Sequence, residues 1–295
     1  MTLTSPPVRL TDTLGTSRGR TWRQVRANRL GMTGAVMLAV VVLAAVTAPL
    51  IAPHDPTETH FDLPFQVPFT VGFGLGTDDL GRDILSRTFY GIQVSLVVGA
   101  LSVLVSVVVG TPLGLLAGYW KWLDAVISRL TDVALAFPFL IIAVGLAAIS
   151  GPSLSNAVIA IGVSHVPAMI RIVRGETLRI TSADFVTSAK TLDAGGARII
   201  LQHVLPNCLS AIIVQATVIM PVAVIGEALL SFLGLGIQPP TPSLGIMLSD
   251  AQQYLGNAPW AAVVPGVAIA VICLGFNLFG DALRDALDPT ASDRK

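Results

Sequence analysis

VSLVVGALSVLVSVVVGTPLGLLAG, Val94 to Gly118, runs for 25 residues without a charged side chain. A bilayer core about 30 Å thick takes about 20 apolar residues to cross as a helix. Hydrocarbon offers no water to backbone amides, so such a segment must satisfy its own hydrogen bonds as a helix. Working outward, five more stretches pass the same test: Met32–Ile51, Asp132–Ser150, Asn156–Ile172, Cys208–Leu230 and Ala261–Gly280. The chain of 295 residues is 53% hydrophobic and 12% charged, with a mean hydropathy of +0.75. That composition excludes an ordinary soluble domain. An all-α membrane protein with six transmembrane helices is expected.

The net charge of zero hides an asymmetry. With the N-terminus placed inside, only Arg82 and Arg87 of the 18 Lys and Arg residues fall outside. Asp55, Glu58, Asp62, Asp78, Asp79 and Asp83 crowd that same outer loop. The positive-inside rule then puts both termini in the cytoplasm. The basic residues flank spans rather than forming one face, which argues against nucleic-acid binding. Cys208 and Cys273 lie in separate apolar spans without metal-ligand spacing, and read as small membrane-buried residues.

The chain divides accordingly. Residues 1–30 are expected to be a cytoplasmic tail ending in an interfacial helix, where Trp22 stands among arginines. Residues 31–52 form the first span, and 53–91 an extracytoplasmic loop. Residues 92–282 hold the membrane core, including a charged loop at 173–207, and 283–295 form a C-terminal tail. In the outer loop, LGTDDLGRDILSRTFYG (Leu75–Gly91) reads as a short amphipathic helix. Thr77 is its expected cap, with Asp79–Arg82 and Asp83–Arg87 at pairing distances.

The charged island DFVTSAKTLDAGGARIILQHVLPN, Asp184 to Asn207, resembles the cytoplasmic coupling loop of bacterial ABC importer permeases. That loop reads E-A-A, three residues, G, nine residues, I-x-L-P. Ala189, Leu205 and Pro206 agree with it; Thr187 and Ser188 stand for its Glu and first Ala, Asp193 for its Gly, and His203 for its Ile. Three further segments resemble the dipeptide/oligopeptide/nickel branch, and there the C-type subunit: Leu75–Gly91, EALLSFLGLGIQPPTPSLGIML (Glu227–Leu248) and NLFGDALRDALDP (Asn277–Pro289). Together the resemblance covers the chain from about Asn28 to Pro289.

The resemblance implies a type I ABC importer permease fold in a bacterial inner membrane, moving di- or oligopeptides. It also implies a second homologous permease subunit, two ABC ATPase subunits and an extracytoplasmic substrate-binding protein as partners. The coupling helix would run from Asp184 to Leu192, with Phe185 and Leu192 as anchors and small Ser188 and Ala189 letting the ATPase approach closely. Asp193 would carry the left-handed turn that Gly carries in the family. No G-x-x-x-x-G-K-[ST] loop is present, so this chain is expected to be no enzyme and to bind no cofactor, ATP and Mg being held by the partner ATPase.

Polar residues inside spans are functional candidates. Glu227 either faces the translocation path or snorkels to water. Asp132 is expected to pair with Arg129, and His165, before Pro167, to sit satisfied at a kink. Gly110, Gly114 and Gly118 have small-xxx-small spacing suited to close helix packing, with a partner subunit as one candidate for the facing helix. A nickel permease of the same family is the alternative substrate class. An autonomous secondary transporter and an intramembrane hydrolase built on Ser150 or Ser164 with His165 are alternatives of other classes. Adjacent side chains on a helix diverge by about 100°, which speaks against a Ser164–His165 dyad.

Overall fold

The computed structural model describes residues 28–70 and 72–287. The expected N-terminal tail, with nearly all of its interfacial helix, and the end of the C-terminal tail lie outside them. Ten α-helices follow in order among the described residues: α1 Arg29–Ile51, α2 Ile84–Tyr119, α3 Lys121–Ala136, α4 Phe139–Ser150, α5 Leu154–Thr181, α6 Asp184–Thr191, α7 Gly196–Ile199, α8 Leu205–Phe232, α9 Leu244–Ala251 and α10 Trp260–Leu287.

Helices α1, α2, α5 and α10 and the continuous rod Gly196–Phe232 are each long and apolar enough to cross a membrane. The sixth expected span, Asp132–Ser150, is not one straight helix. It is the end of α3 plus α4, and these two are bent by 80°. Pro138 has no N–H to donate and pushes the residue before it out of the helical region. Phe137 is accordingly extended, with φ −91° and ψ 120°.

Capping sets where α2 begins. The amphipathic segment does not start at Thr77. That side chain is buried and ties the outer loop together, donating to the Leu63 carbonyl at 2.7 Å and accepting from the Gln66 N–H at 2.8 Å. Gly81 then turns the chain with φ +74°, packed against the His60 carbonyl where a side chain has no room. Asp83 is the cap: it accepts from the N–H of Ser86 at 3.0 Å and from that of Leu85 at 3.4 Å. From there α2 runs 36 residues without interruption.

The main seam lies between α2 and α5. A Cβ placed on Gly110, Gly114 or Gly118 would stand 2.7, 2.7 or 2.5 Å from the Cβ of Met169, Val173 or Thr177, and one on Gly162 would meet Val105 at 2.7 Å. Only glycines allow the two backbones to come this close. The small-residue stripe is therefore filled by this chain's own fifth helix rather than by a partner subunit. Around it, Leu115, Met169, Val173, Val186, Ile199, Val204 and Cys208 form one apolar cluster, which joins the loop after α5 to the seam.

Candidate functional site: the loop between α5 and α8

The charged island of the sequence folds as a compact bracket. Helix α5 ends at Thr181, and after two intervening residues α6 starts with Asp184 in its first turn and Lys190 in its last, both favourable to the helix dipole. Its end is a Schellman closure. The Asp193 N–H donates to the Lys190 carbonyl at 3.1 Å and the Ala194 N–H to that of Ala189 at 3.2 Å. Asp193 itself lies at φ +58°, in the left-handed region expected of it.

One side chain pins α6 to the body. Val186 is fully buried in the α2–α5 cluster. The expected anchors do not serve that role within the chain: Phe185 is 49% exposed and Leu192 83% exposed. Thr187 and Ser188 are also exposed, and Ala189 is half-buried. An eight-residue helix has too few apolar positions to fix its phase from sequence, and the β-branched residue between Asp184 and Thr187 was the one turned inward. Lys190 lies over the Tyr119 ring, 5.8 Å from its centroid, and so ties α6 to the end of α2.

The return path is set by Pro206. It leaves the 202 carbonyl without its usual donor, and the ladder widens into a π turn over Ile200–Val204, where the Leu205 N–H reaches the Ile200 carbonyl. Leu205 and Pro206 thus stand at the start of α8, directly beneath the bracket. The arrangement is an exposed helix with polar and apolar side chains outward, held to two membrane helices by one buried valine and by Lys190 over Tyr119.

At the opposite end of the spans sits a second group of polar residues. Glu227 of α8 neither snorkels to water nor lies open on this chain's surface: it is 0% exposed. Ser95 of α2 donates to its Oε2 at 2.7 Å, while Ser231 and Ser243 donate to Oε1 at 2.9 and 2.8 Å. Ser243 also caps α9 by accepting from the Gly245 N–H at 3.2 Å. The carboxyl therefore joins α2, α8 and the start of α9.

The far end of α9 is joined as well. Arg87, 3% exposed, donates to Asp78 at 2.8 Å and lies 3.7 Å from Asp250. Arg82 reaches Asp78, Asp79 and Asp250 at 2.7, 3.4 and 3.2 Å. Burial pushes the Asp250 carboxyl above the ordinary range, against the pull of the two arginines. The expected Asp83–Arg87 pair is thus replaced: Asp83 caps α2, and Arg87 turns to the residues that close the outer loop over α9.

Two other local pairings change partner. Asp132 meets Arg171 at 3.3 Å rather than Arg129. His165 Nδ1 sits 2.7 Å from the Ile161 carbonyl, as a satisfied kink residue should, but Ser164 Oγ also comes within 3.2 Å of it. The two side chains do not diverge as the ideal helix suggests. Each is nevertheless committed to the Ile161 carbonyl. With Nδ1 donating, that nitrogen cannot accept the serine proton, and the arrangement has no hydrolase chemistry to offer. Among the described residues no group of His, Cys, Asp and Glu could hold a metal ion.

The structure is thus a helical membrane body with a broken third span and a charged bracket between the fourth and fifth spans. Comparison with known proteins agrees. Residues 110–293 match the family of binding-protein-dependent transport system inner membrane components, and residues 17–68 match the N-terminal TM domain of oligopeptide transport permease C. The dipeptide transport system permease protein DppC of Alkalihalophilus pseudofirmus is 43% identical over 91% of this chain and 88% of its own length. The Haemophilus influenzae DppC is 43% identical over 91% and 93%. The glutathione transport system permease protein GsiD of Escherichia coli (strain 536) is 40% identical over 97% and 95%. In structure, a chain of the inward-facing MetNI methionine ABC transporter superposes with a TM-score of 0.57 at 20% identity, covering 67% of this chain and 94% of that one.

The chain belongs to the family of binding-protein-dependent transport system inner membrane components. It is a permease subunit of an ABC importer, of the C type in the dipeptide/oligopeptide branch, and a multi-pass protein of the bacterial inner membrane. It works with further permease, ATPase and binding-protein components and is not itself an enzyme.

Proposed function

We propose that this chain supplies one half of the translocation path for short peptides and receives its driving motion through α6. The observation that carries the coupling part is the bracket: α6 has Val186 as its one buried side chain and turns Phe185, Thr187, Ser188 and Leu192 outward. An exposed surface with two large apolar side chains and small neighbours suits a groove on another protein. Its partners are one second permease chain, two ATPases that bind ATP and Mg, and an extracytoplasmic binding protein. Lys190, Arg198, Arg174 and Arg179 lie at this end of the spans and support a cytoplasmic bracket, with both termini on the same side.

ATP binding draws the ATPases together, displaces α6 and with it the inner ends of α5 and α8, and opens the path outward; hydrolysis resets it. Glu227 belongs to the outer wall of that path, as the tie between α2, α8 and α9. Peptides are favoured as cargo because relatives named for dipeptide transport and for glutathione, itself a tripeptide, align with nine-tenths or more of the chain. The test is uptake by the purified, reconstituted importer with its binding protein. Labelled dipeptides, glutathione and Ni2+ are offered in competition, and ATP-dependent accumulation of a peptide is the expected result. Accumulation of Ni2+ alone, or peptide uptake by this chain without ATP, would overturn the reading.

A further inference from the structure

Helix α3 is loosely held for a helix in a packed bundle. Its inner half joins α2 and α5 through a small apolar cluster of Ile127 with Ala117, Val166 and Ile170. The Arg174 guanidinium then grips Asp124 with two nitrogens, Nη2 donating to Oδ2 at 2.8 Å and Nε to Oδ1, while Ser128 steadies Oδ1 at 2.8 Å. A bidentate Arg–carboxylate pair fixes orientation as well as distance. Arg171 and Asp132 add a second pair at 3.3 Å.

Alongside these contacts the helices part. An apolar groove of about 250 Å³, with Ile127, Val166 and Ile170 in its wall, separates Leu130 and Ala134 of α3 from Val109 and Leu113 of α2 and Val163 and Pro167 of α5. The helix ends at the Phe137–Pro138 break, after which the chain turns by 80°. So α3 has a handle at one end, open space along its flank and a hinge at the other end. Arg174, the handle, lies on α5 seven residues before Thr181, where that helix feeds α6.

We propose that Asp124 and Arg174 are a positioning pair that carries displacement of the α6 bracket into α3, which swings about Phe137–Pro138 and closes the groove. This rests on the reading of α6 as the input of an ATP-driven importer. Packed interfaces are bistable rather than continuously deformable, so a small shift at the bracket is delivered as a discrete movement of a helix that has room to move. The apolar cluster around Ile127 acts as the fulcrum, and the pair sets how much of the movement reaches α3.

Two readouts on the full importer test this. The first is peptide accumulated per ATP hydrolysed in proteoliposomes. D124N and R174Q are each expected to lower that ratio by about tenfold, the size of an ordinary coupling between sites, while hydrolysis continues. The reversed pair D124R/R174D is expected to recover most of it. Filling the groove with A134F should lower the ratio as well.

The second readout needs no substrate: the distance between spin labels at Leu130 on α3 and Leu178 on α5, in a C208S/C273S background. It is expected to change with nucleotide in the otherwise unaltered importer and to stay fixed in D124N. A label distance that responds equally in D124N, or single variants that lose uptake and ATP hydrolysis in the same proportion, would overturn the proposal. A complex that shows the nucleotide-dependent distance but transports no peptide would refute the cargo and leave this inference standing.

Discussion

Replacing Gly114 by alanine adds one methyl group in the middle of the α2–α5 glycine seam. Its Cβ would lie 2.7 Å from the Val173 Cβ, 2.9 Å from the Ile170 carbonyl oxygen and 3.0 Å from Val173 Cγ1. Carbon pairs sit at about 3.5–4.0 Å at rest, so the helices must separate by about 1 Å. Because Gly110 and Gly118 flank the site on the same face, that separation loosens contacts to Met169 and Thr177 too. Overpacking of this kind costs about 1–3 kcal/mol, against a gain of about 1 kcal/mol for alanine over glycine inside a helix. The expected net loss is up to about 2 kcal/mol.

Gly175 on α5 supplies the control. It too is inside a helix, but a Cβ there meets nothing within 4 Å. Gly175→Ala should therefore keep the propensity gain and stabilise by up to about 1 kcal/mol. The assay is equilibrium unfolding of the purified chain in mixed micelles by SDS titration, with helicity as the probe. Opposite signs for the two variants are expected. A Gly114→Ala chain as stable as the parent would refute the seam. If the same variant instead lost its partner permease while its own stability held, the stripe would face that partner.

Two further outcomes follow from the site. Glu227→Gln keeps an acceptor for the serines and should cost under about 1 kcal/mol in the same assay. Glu227→Ala leaves the Ser243 hydroxyl without an acceptor and opens a cavity, for a loss of about 2–4 kcal/mol; a cost no larger than that of lipid-facing Val222→Ala would contradict the tie. At the bracket, Asp193→Gly should leave uptake within about threefold, since both residues accept φ +58°. Asp193→Val should fray α6, because a β-branched residue resists that conformation by about 1–2 kcal/mol. Hydrogen exchange at Ala189 to Ala194 checks it, and unchanged protection in the valine variant would count against the closure.

The six apolar runs were legible because a bilayer imposes a length and a composition that few other environments demand. The left-handed turn at Asp193 was expected from the family resemblance, which has Gly at that position, and Asp tolerates the conformation better than most residues. What failed to show were choices decided by distant parts of the chain. Arg87 and Asp83 stand one turn apart, yet buried Asp78 and part-exposed Asp250 offered Arg87 two carboxylates and Asp83 was needed as a cap. Asp132 likewise found Arg171, 39 residues away, in place of Arg129.

The third span's break was present in the sequence as Phe137–Pro138, but proline within an apolar run reads equally as a mild kink. Local signals did exist for α2: Gly81 lies between Thr77 and the first apolar turn, and it marks a turn before Asp83 rather than a helix beginning at Thr77. The glycine stripe announced a close approach without naming the helix that fills it. Glu227 drew notice as an ionisable residue in a span; of its three serine donors Ser231 lies one turn on along the same helix, while Ser95 and Ser243 are brought to it by the fold.

The most direct test of the account is purification of the tagged chain from its native membrane in mild detergent, with and without residues 184–193 replaced by a Gly/Ser linker. Mass spectrometry of the copurifying proteins should find a second permease and P-loop ATPases with the unaltered chain. The ATPases should be lost from the linker variant while its helicity is kept. A linker variant that retains its ATPases in full, or an unaltered folded chain that emerges alone, would contradict the claim that α6 is where this permease is driven.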